Sequence, residues 1–170
     1  MGKQVLVAYA TKYGATGEIA EKIRQVLQDA GLQADVSLVK EAPNVSAYDA
    51  VVLGSAVYMG GWRKEAVKFL KDNETALEEL PVWIFSSGPA GEGDPVELLD
   101  GWRLPEKLQP IADRIQPRDI AVFHGKVDIE KVSRLEKYMI NTVKSPVGDF
   151  RDWEAITVWA QAIVDEIINE

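Results

Sequence analysis

The most regular feature of the chain is a set of short apolar segments separated by amphipathic ones. Four segments are apolar at almost every position: residues 5–9, 50–53, 82–85 and 120–123. Such a run is typical of a strand buried on both faces of a parallel sheet. A fifth segment, residues 34–39, alternates between apolar and polar side chains. That alternation predicts an edge strand with one solvated face.

The segments between these runs carry apolar residues at helical spacing. They predict helices over residues 16–30, 63–71, 105–115, 129–143 and 153–168. Gly31 is suited to end the first helix, and Asp152 to cap the last. In the fourth helix, the apolar repeat that we expect to face the core consists of Val132, Leu135, Met139 and Val143. The stretch from 88 to 105 is rich in glycine and proline and predicts a long loop.

Strands that alternate with helices predict the fold class. We expect one α/β domain over residues 1–170, with a five-stranded parallel sheet and helices on both faces. In doubly wound sheets of this kind, ligands bind beyond the carboxyl ends of the strands. The loops that leave those ends are therefore the places to look for chemistry.

The loop after the first strand has the composition of an anion-binding site. It consists of Thr11, Lys12, Tyr13, Gly14, Ala15 and Thr16. Two hydroxyls, a glycine and a following helix bring side-chain donors, backbone N–H groups and a helix N-terminus to one point. The pattern matches neither the triphosphate-binding nor the dinucleotide-binding glycine motif. The loop therefore predicts an anion-binding site, with an ordinary turn capped by Thr as the alternative.

Of two further loops, the second could hold a flat ring and the third would face it; the alternatives are partly buried surface aromatics in the second and a disordered connection in the third. The second contains two glycines between aromatic residues, and its candidate binding residues are Ser55, Ala56, Val57, Tyr58, Met59, Gly60, Gly61 and Trp62. The third follows the fourth strand, and its candidates are Ser86, Ser87, Gly88 and Pro89. Both loops leave the same edge of the predicted sheet as the first.

The composition of the chain argues against several classes of binding partner and metal site. The 170-residue chain has a formal net charge of −8 and no run of basic residues, which argues against binding to nucleic acid. It has no cysteine and one histidine, His124, which argues against disulfides, thiolate metal sites and histidine-ligated metals. The absence of cysteine also fits a reducing cytoplasm. No apolar run approaches the ~20 residues of a membrane-spanning helix, and the first residues lack a signal-peptide pattern.

The first loop, T-K-Y-G-A-T, resembles the flavodoxin phosphate signature T-x-[ST]-G-x-T. Two positions depart from it: Tyr13 stands where a small hydroxyl residue is usual, and Lys12 adds a charge. The resemblance implies that flavin mononucleotide (FMN) binds here. The Thr11 and Thr16 hydroxyls and the loop amides would contact its phosphate, and the second and third loops would enclose its ring. It also implies a flexible peptide at Met59-Gly60 beside the ring.

A narrower resemblance extends over most of the chain. Residues 57–61, 137–141 and 148–154 are similar to the flavodoxin-domain family that includes menaquinone-dependent protoporphyrinogen oxidase. That family has an extra helix before its last one, as residues 129–143 predict here. The resemblance implies an FMN-dependent oxidoreductase that transfers electrons through bound flavin.

Two other interpretations stay open: a flavodoxin-type electron carrier without its own substrate, and a flavodoxin-like binding module without FMN. The implied partners are a redox partner protein, a quinone or a small-molecule substrate, with a homodimer left open, no nucleic acid and no integral membrane segment. A carboxylate-bearing substrate would call for a basic rim, and the candidates are Arg63, Lys64, Arg103, Lys126 and Arg151.

Overall fold

The computed structural model describes residues 2–143 and 146–170 of the chain. Its strands are β1 (Gln4–Ala10), β2 (Gln33–Leu38), β3 (Ala50–Tyr58), β4 (Gly61–Trp62), β5 (Val82–Ser87), β6 (Asp119–Phe123), β7 (Lys126–Val127) and β8 (Gly148–Asp149). Its helices are α1 (Ala15–Asp29), α2 (Lys64–Asp72), α3 (Glu74–Glu78), α4 (Pro95–Leu98), α5 (Gln109–Ile115), α6 (Arg134–Val143) and α7 (Trp153–Ile168). Single 3₁₀ turns lie at Val39–Glu41, Val45–Ala47 and Glu106–Leu108.

The main sheet is parallel, in the order β2-β1-β3-β5-β6. In this register Val5 of β1 lies beside Ala34 of β2 on one side and Ala50 of β3 on the other. The short β4 pairs antiparallel with the end of β3, and β7 and β8 form a separate antiparallel ribbon. After β1 the chain adds β2 on one side and β3 on the other. This reversal opens a crevice at the carboxyl ends of β1 and β3, where α/β sheets bind ligands.

Each face of the sheet is covered by helices. Alternate strand residues such as Leu6 and Leu53 pack on one face with the apolar sides of α2, α3 and α5. Their neighbours, such as Val5 and Val52, pack on the other face with α1 and α7. Two buried faces explain why the strands are apolar at every position rather than at every second one. None of the helices in the described residues is long and apolar enough to cross a membrane.

The fold class predicted from the sequence is confirmed, and so are the five main strands. The alternating segment is the edge strand β2, and its outward-facing Leu38 is exposed. The helix predicted over 105–115 is confirmed, but it begins as a 3₁₀ turn, and its Leu108, Ile111 and Ile115 are buried. Short elements such as α3, α4 and β4 were not predicted. Elements of two to five residues carry too few positions for a periodic signal.

Three boundaries were predicted wrongly. The strand β3 continues to Tyr58, where the sequence predicted a loop from residue 54, because pairing of Val57 with Trp62 extends it. The helix α6 begins at Arg134 rather than at residue 129, because residues 126–127 pair with β8 and a turn follows. Ser86 and Ser87, expected in a loop, end β5.

The buried face of α6 was also predicted wrongly. Leu135 is 68% exposed and Met139 is 40% exposed, although both belong to the apolar repeat expected to face the core. Val132, also in that repeat, is only partly buried, and the side chain of Val143 lies outside the described residues. The residues that α6 and the turn before it direct inward are Val132, Glu136 and Ile140. The face of α6 that points inward therefore carries a carboxylate, that of Glu136, at its centre.

Candidate functional site

A cavity lies at the carboxyl ends of β1 and β3, where the strand order reverses. The predicted binding residues that line it are Thr11, Lys12, Tyr13, Ala15, Thr16, Ala56, Val57, Tyr58, Ser87 and Gly88. The structure thus brings together residues from all three predicted loops. It adds Lys126, one of the basic-rim candidates, and residues that the sequence did not single out: Glu18, Gly125, Val127, Asp128, Lys131, Val132, Glu136 and Ile140.

The first loop turns tightly into the N-terminus of α1. Gly14 has φ +95°, a conformation that favours glycine, and its N–H donates to the Thr11 Oγ1 at 3.0 Å. The helix begins at the next residue, so the amides of its first turn have no partner within the helix. Thr16 is almost fully buried beneath this turn and lines the cavity. A helix N-terminus with glycine before it is a favourable place for an anion.

The second loop is a two-residue hairpin between β3 and β4. Tyr58 pairs with Gly61, so Met59 and Gly60 form the turn, with φ of 52° and 74°. Positive φ at both positions is the geometry of a type I′ turn, which is strained for the non-glycine Met59. Met59 is 74% exposed and lies outside the cavity lining. The role expected for the Met59-Gly60 peptide beside a flavin ring stays a prediction.

Some predicted binding residues support the site from inside the protein. Ser55 and Ser86 are fully buried. The Ser55 Oγ accepts from the backbone N–H of Arg63 at 3.0 Å, and the Trp62 Nε1 donates to the Ser86 Oγ at 2.8 Å. The first bond ties the residue after β4 back to β3, and the second ties β4 to β5. The predicted residues absent from the cavity lining are Gly14, Ser55, Met59, Gly60, Gly61, Trp62, Ser86 and Pro89.

The third loop packs tightly against the segment after β6. A Cβ at Gly125 would lie 2.7 Å from the Cα of Gly88, so this close approach requires glycine. The Nδ1 and Nε2 of His124 lie 3.2 Å and 2.7 Å from the carbonyl oxygens of Pro89 and Gly93. His124 therefore lies against the third loop and does not line the cavity.

One carboxylate joins two of the loops to α6. The Glu136 side chain accepts hydrogen bonds from Lys12 Nζ, from Tyr13 OH and from Tyr58 OH, the last at 2.9 Å. The Lys12 ammonium also lies 3.6 Å from the centroid of the Tyr58 ring, within cation–π range. We call these four residues the Glu136 cluster.

The Glu136 cluster has a defined charge state near neutral pH. Burial tends to raise the pKa of Glu136, but the hydrogen bonds from Lys12, Tyr13 and Tyr58 outweigh burial and hold the pKa below its ordinary value. The hydrogen bond to Glu136 raises the pKa of Lys12 above its ordinary range. Burial and the bond to Glu136 raise the pKa of Tyr13. The carboxylate and the ammonium are therefore both charged at pH 7.

A second ion cluster lies at the start of α1, next to the first loop. The Arg151 guanidinium is nearly buried and donates to Asp149 at 2.7 Å and to Glu18 at 2.9 Å. It also donates to the carbonyl oxygen of Ala15 at 3.3 Å. Arg151 therefore connects β8 to the start of α1 and has no free donor face toward a ligand. Of the five residues expected to form a basic rim, only Lys126 lines the cavity in the described part of the chain.

Apart from Glu18 on α1, the cavity-lining residues that the sequence missed lie in the segment between β6 and the end of α6. A weak signal for them exists: Val132, Glu136 and Ile140 are four residues apart and share one helical face. Two apolar residues with an acidic residue between them normally indicate a helix face at the edge of the core. Its role was visible only once Lys12 and the two tyrosines were placed opposite it.

Comparison with known proteins agrees with this geometry. A family model described as a flavodoxin domain matches residues 6–153. The protoporphyrinogen IX dehydrogenase (quinone) of Escherichia coli strain K12 is 26% identical over an alignment of 181 positions. The match covers 94% of this chain and 94% of that protein. A solved flavodoxin from the domain Archaea has a TM-score of 0.64 at 12% identity, over 96% of this chain and 98% of that chain.

A larger solved protein contains the same fold as one of its parts. The rubredoxin oxygen:oxidoreductase from the anaerobe Desulfovibrio gigas has a TM-score of 0.62 at 13% identity. The match covers 98% of this chain but 36% of that chain. At identities this low, both structural matches demonstrate a shared fold and nothing about the ligand.

Proposed function

Because the chain belongs to the flavodoxin domain family, we propose that residues 1–170 are one FMN-binding oxidoreductase domain that transfers electrons through the bound flavin. The observation that carries the proposal is the anion site at the first loop. It combines a glycine at φ +95°, the free amides at the start of α1 and the buried Thr16 at one point of the cavity wall.

The residues present suit FMN in their chemistry. A phosphate dianion would be stabilised by the amides of the first turn of α1 and by the positive end of its dipole. The cavity wall beside this point is mostly apolar and small, with Ala56, Val57 and Gly88 available to lie against a flat ring. No second nucleotide-binding motif occurs in the sequence, so the proposal is FMN rather than FAD.

The chain's own residues bind and orient, and the flavin supplies the redox chemistry when bound. Thr11 holds the loop turned through its bond to the Gly14 amide. Ser55, Trp62 and Ser86 hold the β3–β4 turn in place behind the cavity wall. The helix α6 contributes Glu136 and Ile140 to the cavity wall, from a part of the chain far from the first two loops.

The phosphate assignment predicts the behaviour of Thr16→Ala. Loss of a hydroxyl that donates to a charged group costs ~1.5–3 kcal/mol, which weakens FMN binding about tenfold to a hundredfold. Riboflavin has no phosphate, so its affinity should stay unchanged. Titration of the apoprotein with each flavin, followed by flavin fluorescence, measures both values. Equal FMN affinity in the wild type and the variant would contradict the assignment.

We further propose that the substrate side resembles that of the protoporphyrinogen oxidase family, with a quinone, another small molecule or a partner protein as redox partner. Support comes from the length over which the chain matches the E. coli dehydrogenase. The lack of cysteine supports a cytoplasmic location, and a homodimer is compatible with the proposal. Anaerobic turnover of a porphyrinogen with a menaquinone analogue tests the substrate directly.

The electron-carrier alternative is favoured by one observation. The β3–β4 turn is open to solvent, with Met59 74% exposed, so a partner protein could approach this end of the cavity. A carrier would accept and return electrons with a reductase and a protein acceptor but would turn over neither porphyrinogen nor quinone. A purified protein that is colourless and gains no flavin absorbance on FMN addition would rule out both redox functions and leave a binding module.

A further inference from the structure

The helix α6 has an unusual distribution of side chains. Its outer face carries Leu135 and Tyr138, which are 68% and 70% exposed. Its inner face directs Glu136 and Ile140 into the cavity, together with Val132 from the preceding turn. An amphipathic helix normally buries its most apolar face. Apolar burial therefore does not explain why α6 lies with this face inward.

The hydrogen bonds of Glu136 explain the orientation of α6 better than apolar burial does. Its side chain is only 14% exposed, and a carboxylate in such a place is destabilising unless donors surround it. Lys12, Tyr13 and Tyr58 supply those donors. All three belong to the two loops proposed to hold FMN, and they lie far from Glu136 in sequence. Glu136 is therefore the point at which α6 is attached to the flavin loops.

The same contacts define what Lys12 does. Its ammonium is bonded to Glu136 and lies over the Tyr58 ring at 3.6 Å from the centroid. The phosphate site beside it is built from backbone amides and the α1 N-terminus, which need no lysine. The charge of Lys12 is thus already neutralised by the Glu136 carboxylate, and the ammonium group is held against the face of the Tyr58 ring.

Resting on the proposed function, we propose that α6 is a lid over the flavin site, held closed by Glu136, and that Lys12 serves this closure instead of binding the phosphate. Glu136 is a positioning residue here: it acts through Lys12, Tyr13 and Tyr58. The closed lid slows the release of any flavin in the cavity, whether or not that flavin carries a phosphate.

The test compares flavin release from the wild type, Glu136→Gln, Lys12→Met and the double variant. Each holoprotein is diluted, and release of FMN or riboflavin is followed by flavin fluorescence. Either single substitution removes the ion pair and should accelerate release about fivefold to tenfold. The double variant should release no faster than the single variants, because both act on one contact. Riboflavin release should accelerate by the same factor as FMN release.

Glu130→Gln is the matched control. It removes one exposed carboxylate four residues after the β7 strand begins and outside the cavity lining, so release should keep the wild-type rate. If Lys12 instead binds the phosphate, Lys12→Met will accelerate release of FMN alone, and Glu136→Gln will slow it by freeing Lys12. That result, or wild-type release rates in both single variants, would overturn the proposal.

A second measurement separates this proposal from the proposed function. In the flavin-free protein, hydrogen exchange of the α6 amides should be faster in Glu136→Gln than in the wild type, and unchanged in Glu130→Gln. If the protein binds no flavin, the proposed function fails, while this comparison still decides whether Glu136 holds α6 closed. Equal exchange in the wild type and Glu136→Gln would show that it does not.

Discussion

Gly54 and Phe85 illustrate how single residues determine the packing beneath the site. The two residues are neighbours on β3 and β5, and the Phe85 ring lies directly over Gly54. A Cβ added at Gly54 would lie 2.0 Å from the Phe85 Cζ, which no side-chain adjustment of tenths of an ångström relieves. The ring also contacts Phe123 and Trp159, with centroids 5.8 and 6.0 Å away, so it has little room to move.

This contact predicts that Gly54→Ala destabilises the protein. Overpacking of a filled core costs about 1–3 kcal/mol, and urea unfolding should show that loss in the free energy of unfolding. Gly61→Ala is the control, since nothing lies within 4 Å of its added Cβ. A Phe85→Leu background should tolerate Gly54→Ala better than the wild type does. A midpoint unchanged by Gly54→Ala would show that β3 and β5 can separate at little cost.

At the scale of elements, α7 shows how a local signal and tertiary packing act together. The Asp152 Oδ1 accepts the N–H of Ala155 at 3.0 Å and so caps the helix, as the sequence predicted. The helix then packs its apolar face on the sheet next to α1, and Ile156 and Ile163 are fully buried. The cap determines where α7 begins, and the packing determines where it lies.

The cap predicts a modest effect of Asp152→Ala. Loss of an N-cap side chain costs about 1 kcal/mol, because one amide of the first turn loses its acceptor. Asp152→Asn keeps an acceptor and should retain most of the stability, so the difference between the two variants isolates the hydrogen bond. Thermal unfolding followed by far-ultraviolet circular dichroism measures both. Equal melting temperatures for Asp152→Ala and the wild type would assign the start of α7 to packing alone.

At the scale of the whole molecule, two ion clusters beside the site, around Asp149 and around Glu136, make stability depend on pH. The hydrogen bond from Arg151 holds the pKa of Asp149 below its ordinary 3.8. Despite burial, the donors around Glu136 hold the pKa of Glu136 below its ordinary 4.5. Below these ordinary values the unfolded chain binds protons that the folded protein does not. The stabilisation by both groups is therefore complete near neutral pH and is lost as the pH falls through the lowered values.

We expect the free energy of unfolding to be level near neutral pH and to fall as the pH decreases below about 4.5. For Glu136→Gln, the free energy of unfolding should fall less steeply with decreasing pH, because one of the titrating groups is absent. Glu130→Gln, a substitution of an exposed residue outside both clusters, is the matched control. Urea unfolding at a series of acidic pH values measures the slopes. Identical slopes for the wild type and Glu136→Gln would mean that Glu136 does not titrate with folding.

The sequence by itself determined the fold class, the order of the main elements and the tight turn at residues 11–16 that leads into α1. These features are local: apolar periodicity defines strands and helices, and a hydroxyl, a glycine and a helix start define the turn. The structure also places residues of all three loops around one cavity, because parallel strands end at one edge of the sheet, and their binding of a ligand stays a prediction. Ten of the predicted binding residues line the cavity, while others, such as Ser55 and Trp62, brace it from behind.

Only the tertiary structure decided which face of α6 turns inward and what Lys12 contacts. In the sequence, Leu135 and Met139 form the stronger apolar repeat, and Glu136 has the spacing of an ordinary solvated residue. Lys12 and Glu136 are 124 positions apart, and no local pattern relates them. The orientation follows from the cost of leaving a buried carboxylate without donors, and those donors come together only when the β1 and β3 loops are placed side by side.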